Sequence, residues 1–309
     1  MSATAALEGA MFAPGTWYVM PTTFLDDGSL DAASQRRLTE AVLEWGVDGI
    51  TVLGVMGEVA ALGTDERAKV VRNVTEAVGG EVPVAVGCSG AAVRPVLDLV
   101  KQATTCGASA VMVSAPPLTR NVDVLPGFYQ QVSEKGGLPV VVQDEPSATG
   151  VLIPTSVLVA SAQAARAAAV KLEDPPTPRK ISAFLEAAPE LPVFGGLGGL
   201  MAFHEISHGA AGTMTGFSYP EILRTLRLQL AAGDRLGALA TYSRFLPLIA
   251  FEAQQVMGLS IRKELLCRRG VIGSATTRVA TSIDATHRKE LDEILGALEI
   301  VPAPGAFRW

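Results

Sequence analysis

Residues 168–172 read Ala168-Ala169-Val170-Lys171-Leu172, a short apolar run with one lysine near its end. The acidic pair Glu173-Asp174 and then Pro175-Pro176 follow at once. An apolar run this short and continuous reads as a parallel strand buried on both faces. Seven similar runs flank it. Upstream are Trp17-Tyr18-Val19-Met20, Gly49-Ile50-Thr51-Val52-Leu53, Val82-Pro83-Val84-Ala85-Val86, Ala110-Val111-Met112-Val113 and Leu138-Pro139-Val140-Val141-Val142. Downstream are Pro192-Val193-Phe194 and Gly212-Thr213-Met214-Thr215. They recur at intervals of about 20 to 35 residues, the length of a βα unit. Helix signals fill the gaps. Asp31 opens an apolar-periodic stretch that reaches Trp45 and stops at Gly46, and Thr64-Asp65-Glu66-Arg67 opens another that reaches Val78 and stops at Gly79-Gly80. Eight such units predict an α/β fold, a closed (β/α)8 TIM barrel, with a doubly wound open sheet as the alternative. After Gly233 the strand signal ends. Residues 234–256, 260–269 and 286–298 read as helices. Residues 1–232 are therefore expected to form the barrel and 233–309 a C-terminal helical extension, broken at Gly270-Val271-Ile272-Gly273.

The composition narrows the partners. Of 309 residues, 49% are apolar and 18% charged, enough for a full core. The net charge is −6, and the basic residues form no run longer than pairs such as Arg36-Arg37 and Arg268-Arg269. The polyelectrolyte attraction that drives nucleic-acid binding is missing, so a small molecule or another copy of the chain is the expected partner. Three cysteines, Cys88, Cys106 and Cys267, show no CxxC spacing, which argues against a disulfide framework or a zinc knuckle. The N-terminal MSATAALEGAMF has neither a basic region nor a sustained apolar one, and the apolar stretch 157–170 contains Arg166. Neither a signal peptide nor a membrane span is expected, and the cytoplasm is the expected compartment.

In such a barrel the active site lies at the C-terminal ends of the strands, where four segments stand out. Lys171 ends an apolar strand. Burial there favours the neutral amine, the form that attacks a ketone, although a lysine pairing with Glu173 is the plainer account. Leu53-Gly54-Val55-Met56-Gly57-Glu58 brings glycines and backbone N–H groups to a strand end, which suits a carboxylate, or is an ordinary turn. Gln143-Asp144-Glu145-Pro146-Ser147-Ala148-Thr149-Gly150 gathers polar groups after the fifth strand, and Gly195-Gly196-Leu197-Gly198-Gly199 offers backbone access after the seventh. Either could equally be a solvated loop. His204-Glu205-Ile206-Ser207-His208 matches the zincin pattern, but Gly209 ends its helix and the one other histidine, His287, lies in the extension, so a packing helix is the preferred reading. Cys88 has no base beside it in sequence and reads as packing.

Taken together, these segments resemble the dihydrodipicolinate synthase / N-acetylneuraminate lyase family of Schiff-base barrels, from about Val19 to Leu298. The family's Gly-x-x-Gly-Glu turn matches Gly54 to Glu58. Its Pro-Ser-x-Thr-Gly matches Pro146 to Gly150. Its strand-six lysine matches Lys171, and its closing Gly-Ala-x-Gly matches Gly209 to Gly212. The resemblance implies a Schiff base on Lys171, no metal or other cofactor, and a homo-oligomer, tetramer or dimer. The departures bear on the substrate. The family's Thr-Thr pair is Val55-Met56, its strand-five tyrosine is Gln143, the tyrosine expected after strand four falls within Pro116-Pro117-Leu118, and the arginine that clamps aspartate semialdehyde is Ala148. The combination of Gln143-Asp144-x-Pro146, Lys171-x-Glu173 and Gly212-Thr213-Met214-Thr215-Gly216 is closer to the subgroup of 2-keto-3-deoxy sugar acid dehydratases.

The expected function is a Schiff-base lyase, dehydratase or aldolase, acting on a 2-keto acid, most specifically a 2-keto-3-deoxy sugar acid. Dihydrodipicolinate synthesis and a non-catalytic keto-acid-binding barrel are the alternatives. Lys171, Glu173 and Gln143 are the expected catalytic residues. Glu173 is two residues from Lys171 and so shares its face of the strand; Glu58 and Asp144 are the other candidate bases. Gly54, Val55, Met56, Gly57, Glu58, Asp144, Gly195, Gly196 and Thr215 are expected to line the substrate.

Overall fold

The computed structural model describes residues 12–309; the N-terminal segment read for a signal peptide lies almost wholly outside them. Within the described residues eight strands alternate with eight longer helices, a single helical turn at Pro146–Thr149 standing after the fifth strand. They are β1 (Thr16–Val19), α1 (Ala32–Glu44), β2 (Gly49–Val52), α2 (Thr64–Val78), β3 (Val84–Gly87), α3 (Val93–Thr105), β4 (Ala110–Ser114) and α4 (Leu125–Gly136). Next come β5 (Val140–Asp144), α5 (Thr155–Ala164), β6 (Ala169–Leu172), α6 (Thr177–Ala187), β7 (Val193–Gly195), α7 (Ala202–Ser207), β8 (Gly212–Thr215) and α8 (Pro220–Ala231). The strands pair in parallel in sequence order, and β1 closes on β8. This is the closed (β/α)8 barrel, and the open sheet is excluded. Three further helices, α9 (Arg235–Glu252), α10 (Gly258–Arg268) and α11 (Ala285–Ala297), form the C-terminal extension.

Local sequence explains the elements. The strands are β-branched and buried along nearly their whole length, as parallel strands between a pore and a helical ring must be. Asp31 caps α1 by accepting from the Ser34 amide. The α2 cap falls one residue earlier than expected: Gly63 takes the cap position and its N–H donates to Glu66 Oε2 at 3.0 Å. Gly79 then ends the helix in the left-handed conformation.

Strand alternation sorts the core into layers. Trp17, Val19, Ala85, Ala110, Met112, Val141, Ala169, Phe194 and Met214 point inward and fill the pore, with Phe12 stacked on Trp17 at 4.6 Å. Their neighbours, such as Tyr18, Val142, Val170 and Val193, point outward against the helices. The lower pore is therefore packed shut, and only the layer above these residues can be polar. Among the described residues no helix is long and apolar enough to cross a membrane.

Candidate active site

The upper layer begins with three residues in lateral register. Ser114 of β4 pairs with Gln143 of β5, which pairs with Lys171 of β6, and Phe194 of β7 stands beside Lys171. Each of the three follows an inward residue two positions earlier, namely Met112, Val141 and Ala169. All therefore face the pore. Lys171 is 5% exposed, at the open end of an otherwise apolar barrel. Glu173, two residues on, turns to the same side, and its Oε2 lies 3.2 Å from Lys171 Nζ. Gln143 Nε2 donates to that same oxygen at 2.9 Å. The Leu197 amide donates to the other carboxylate oxygen at 3.3 Å. Lysine, carboxylate and amide thus form one constellation, with the carboxylate held from two sides.

Gly54–Gly57 forms a tight turn at the same end, with Val55–Gly57 in a single 3₁₀ turn. Met56 packs against the pore residues, whereas Val55 is exposed. The turn uses up part of the anion site that the glycines suggested. The Gly57 amide donates to Gly54 O at 2.9 Å and the Gly57 carbonyl accepts from Thr22 Oγ1 at 2.6 Å. Among the described residues, the amides left without a partner in this turn are those of Gly54, Val55 and Met56.

Several expected site residues lie elsewhere, each for a physical reason. Glu58 was expected to face substrate or act as the base. It turns away, fully buried, to pair with Lys263 of α10 at 2.5 Å. Its second oxygen accepts from the Arg278 and Val279 amides at 2.6 and 3.2 Å. Asp144, the other candidate base, sits one residue after inward Gln143 and so points outward. There it pairs with Lys180 of α6 at 2.6 Å. Burial raises the Asp144 carboxyl to about 6, with Lys180 opposing the rise. Thr215 pairs with outward-facing Tyr18 and follows inward Met214, so it belongs to the helix side. Gly195 abuts Glu205 behind the wall, where a side chain would overlap the Glu205 carboxylate. Gly196 abuts Glu173, and a Cβ there would overlap Glu173 Oε1. The glycine loop therefore grips the pore carboxylate rather than presenting itself to a ligand.

Two residues escaped the sequence reading. Ser114 ends β4 one position past the expected strand end; counting by twos from Ala110 finds it. Glu145 is nearly buried, caps the turn at 146–149 by accepting from the Ala148 amide at 2.9 Å, and also accepts from Ser147 Oγ. Burial pushes its carboxyl above the usual range, and the charge of Glu173 adds to the rise. The zincin-like segment is used for packing. Glu205 Oε1 accepts from Thr177 Oγ1 at 2.6 Å, His208 Nδ1 lies 2.8 Å from Ser182 Oγ, and His204 stands edge-on to Tyr242. Among the described residues no group of three or more His, Cys, Asp or Glu is placed to hold a metal ion. Burial pushes the Cys88 thiol up to about 12, leaving it inert.

Known proteins resemble the chain in sequence and in fold. Residues 14–298 match the dihydrodipicolinate synthetase family. The chain is 31% identical over 304 residues to an L-2-keto-3-deoxyarabonate dehydratase of Azospirillum brasilense, covering 96% of each protein. It is 29% identical over 291 residues to a 4-hydroxy-tetrahydrodipicolinate synthase of Acidothermus cellulolyticus, covering 90% of each. Among solved structures, a dihydrodipicolinate synthase from Rhodopseudomonas palustris superposes with a TM-score of 0.87 at 32% identity, over 93% of this chain and 98% of that one. Alike in sequence and in fold along nearly its whole length, the chain belongs to the dihydrodipicolinate synthetase family of lyases.

Proposed function

We propose that the chain is a Schiff-base dehydratase of a 2-keto-3-deoxy sugar acid. The Lys171 amine attacks the C2 ketone, and loss of water leaves an iminium. The iminium withdraws electrons from the C2–C3 bond, so a C3 proton becomes acidic. Glu173, 3.2 Å from the lysine nitrogen, takes that proton. The C4 hydroxyl then leaves as water, using a proton returned from the Glu173 carboxyl. Hydrolysis of the resulting iminium releases product and restores Lys171. Gln143 cannot transfer a proton near neutral pH; its role is to hold Glu173 Oε2 in place. The Val55 and Met56 amides receive the substrate carboxylate. A homo-oligomer, dimer or tetramer, accompanies this reading.

The observation that supports it most is the lysine–carboxylate–amide constellation at the pore mouth, in a chain whose tyrosine relay is replaced by Gln143 and Val55-Met56. The relative named for L-2-keto-3-deoxyarabonate dehydration agrees. Relatives named as synthases favour the second reading, condensation of pyruvate with aspartate semialdehyde. Against that reading, Ala148 offers the second substrate no cation.

Glu173→Gln tests the assignment. With L-2-keto-3-deoxyarabonate as substrate, turnover is expected to fall by about 10² to 10⁴, the range for removing a general base, while a borohydride-trapped adduct with pyruvate still forms. Unchanged turnover would remove Glu173 from the mechanism.

A further inference from the structure

We propose that Lys180, on the far side of the barrel wall from substrate, is a positioning residue that sets the distance between Gln143 and Glu173. The inference rests on the Schiff-base reading above and goes beyond it. Lys180 Nζ donates to Asp144 Oδ2 at 2.6 Å, to Asp174 Oδ2 at 2.7 Å and to Ile153 O at 2.6 Å. An ammonium has three N–H bonds, and all three are used. Its targets come from three separate segments. Asp144 is the residue after Gln143, Asp174 is the residue after Glu173, and Ile153 follows the turn that begins at Glu145. The strand ends are also joined directly, since the Glu173 amide donates to Asp144 O at 2.8 Å. One buried cation therefore fastens, from behind, both arms of the constellation whose tips meet in front through the bond from Gln143 Nε2 to Glu173 Oε2.

Charge gives the strap its force. Lys180 and Asp144 are almost completely withdrawn from water, and Asp174 is largely so. Without the ammonium, two carboxylates would face each other in a low-dielectric space and repel. Because Gln143 and Asp144 are consecutive at the end of β5, and Glu173 and Asp174 are consecutive just past the end of β6, any parting of the aspartates moves Gln143 relative to Glu173. Neither Lys171 nor the Val55 and Met56 amides bond to Lys180 or to its two aspartates. Imine formation should survive its loss, and the proton-transfer step should not.

Three variants of the full chain are compared with wild type: Lys180→Met, Lys180→Arg, and Lys180→Met combined with Asp144→Asn and Asp174→Asn. The combined variant removes the buried charges, so it separates the strap from charge balance, and Lys180→Arg keeps the cation but cannot meet three acceptors from one nitrogen. Each is assayed for kcat and KM with L-2-keto-3-deoxyarabonate, for melting temperature, and for borohydride trapping of pyruvate on Lys171. The expected result is a loss of about 100-fold in kcat for Lys180→Met, the scale of a 1 Å misplacement, with KM nearly unchanged and trapping intact. The combined variant should melt like wild type yet stay at least about tenfold down in kcat, and Lys180→Arg should fall between. Wild-type kcat in the combined variant, or in any folded variant lacking the cation, overturns the proposal. A wild-type enzyme that traps no keto acid on Lys171 overturns the underlying reading, and the strap with it.

Discussion

Among the described residues are two buried lysine–glutamate pairs, and they differ in how fully their bonding capacity is used. Lys263 and Glu58 lie 2.5 Å apart with neither side chain exposed. Every group there is occupied: Lys263 also donates to Thr276 O at 2.7 Å and sits over the Phe24 ring, while Glu58 takes two backbone amides. Lys171 and Glu173 lie 3.2 Å apart, with side chains 7% and 10% exposed. Among the described residues, Lys171 has no other polar partner. The first pair ties the extension to the β2 turn; the second ties β6 to nothing beyond the residues that follow it, and leaves the Lys171 ammonium with one partner. The comparison teaches that a lysine–carboxylate contact alone says little about chemistry. What distinguishes the pore pair is unspent bonding capacity and an opening to solvent.

The sharpest way to break this contrast is Glu58→Ala. Removing one partner of a fully buried pair leaves Lys263 charged and dry, and a loss of about 3 to 5 kcal/mol in stability is expected, read as a lower melting temperature. Glu173→Gln, by comparison, should melt near wild type. If Glu58→Ala melts unchanged, the two pairs are not different in kind.

Gly196→Ala sharpens the contrast from the other side. A Cβ there overlaps Glu173 Oε1, so the carboxylate must swing off Lys171. Turnover should drop by about 10 to 100-fold with little change in melting temperature. Gly195→Ala meets Glu205 instead, and should lower stability more than it lowers turnover. Equal effects from the two alanines would contradict the assignment of their faces.

Glu205 gives the smallest effect, as a buried carboxylate with no cation. Burial lifts it from 4.5 to about 7, against the hydrogen bond from Thr177. Between those values the folded chain holds a proton that the unfolded chain has lost, so stability declines as pH rises through that window. Asp144, raised from 3.8 to about 6, adds in the same direction. Glu205→Gln should match wild type at pH 4 and exceed it by about 1 to 3 kcal/mol at pH 8. A difference that grows toward low pH would contradict this.

Much of this was legible in the chain before the fold was seen. Eight apolar runs at a steady interval specify a barrel, because continuous burial on both faces has few other solutions. Glu173 follows from alternation once Lys171 is placed, while Lys171 and Gln143 were singled out by the resemblance, at the positions of the family's strand-six lysine and strand-five tyrosine. Alternation also places Asp144 and Thr215 outside, once Val141 and Met214 are recognised as pore residues. Glu58 was beyond reach, since its partner lies 205 residues away, and nothing local announces which loop carboxylate a distant lysine will claim. Ser114 was lost to a strand end drawn one residue short, where boundaries are least certain.

The central claim is that, of the buried lysines, Lys171 alone is a nucleophile. Borohydride reduction in the presence of pyruvate or L-2-keto-3-deoxyarabonate, followed by peptide mass mapping, tests it directly. The account predicts one reduced adduct, on the peptide containing Lys171, with Lys180 and Lys263 unmodified. No adduct with either acid, or an adduct on another lysine, would contradict it.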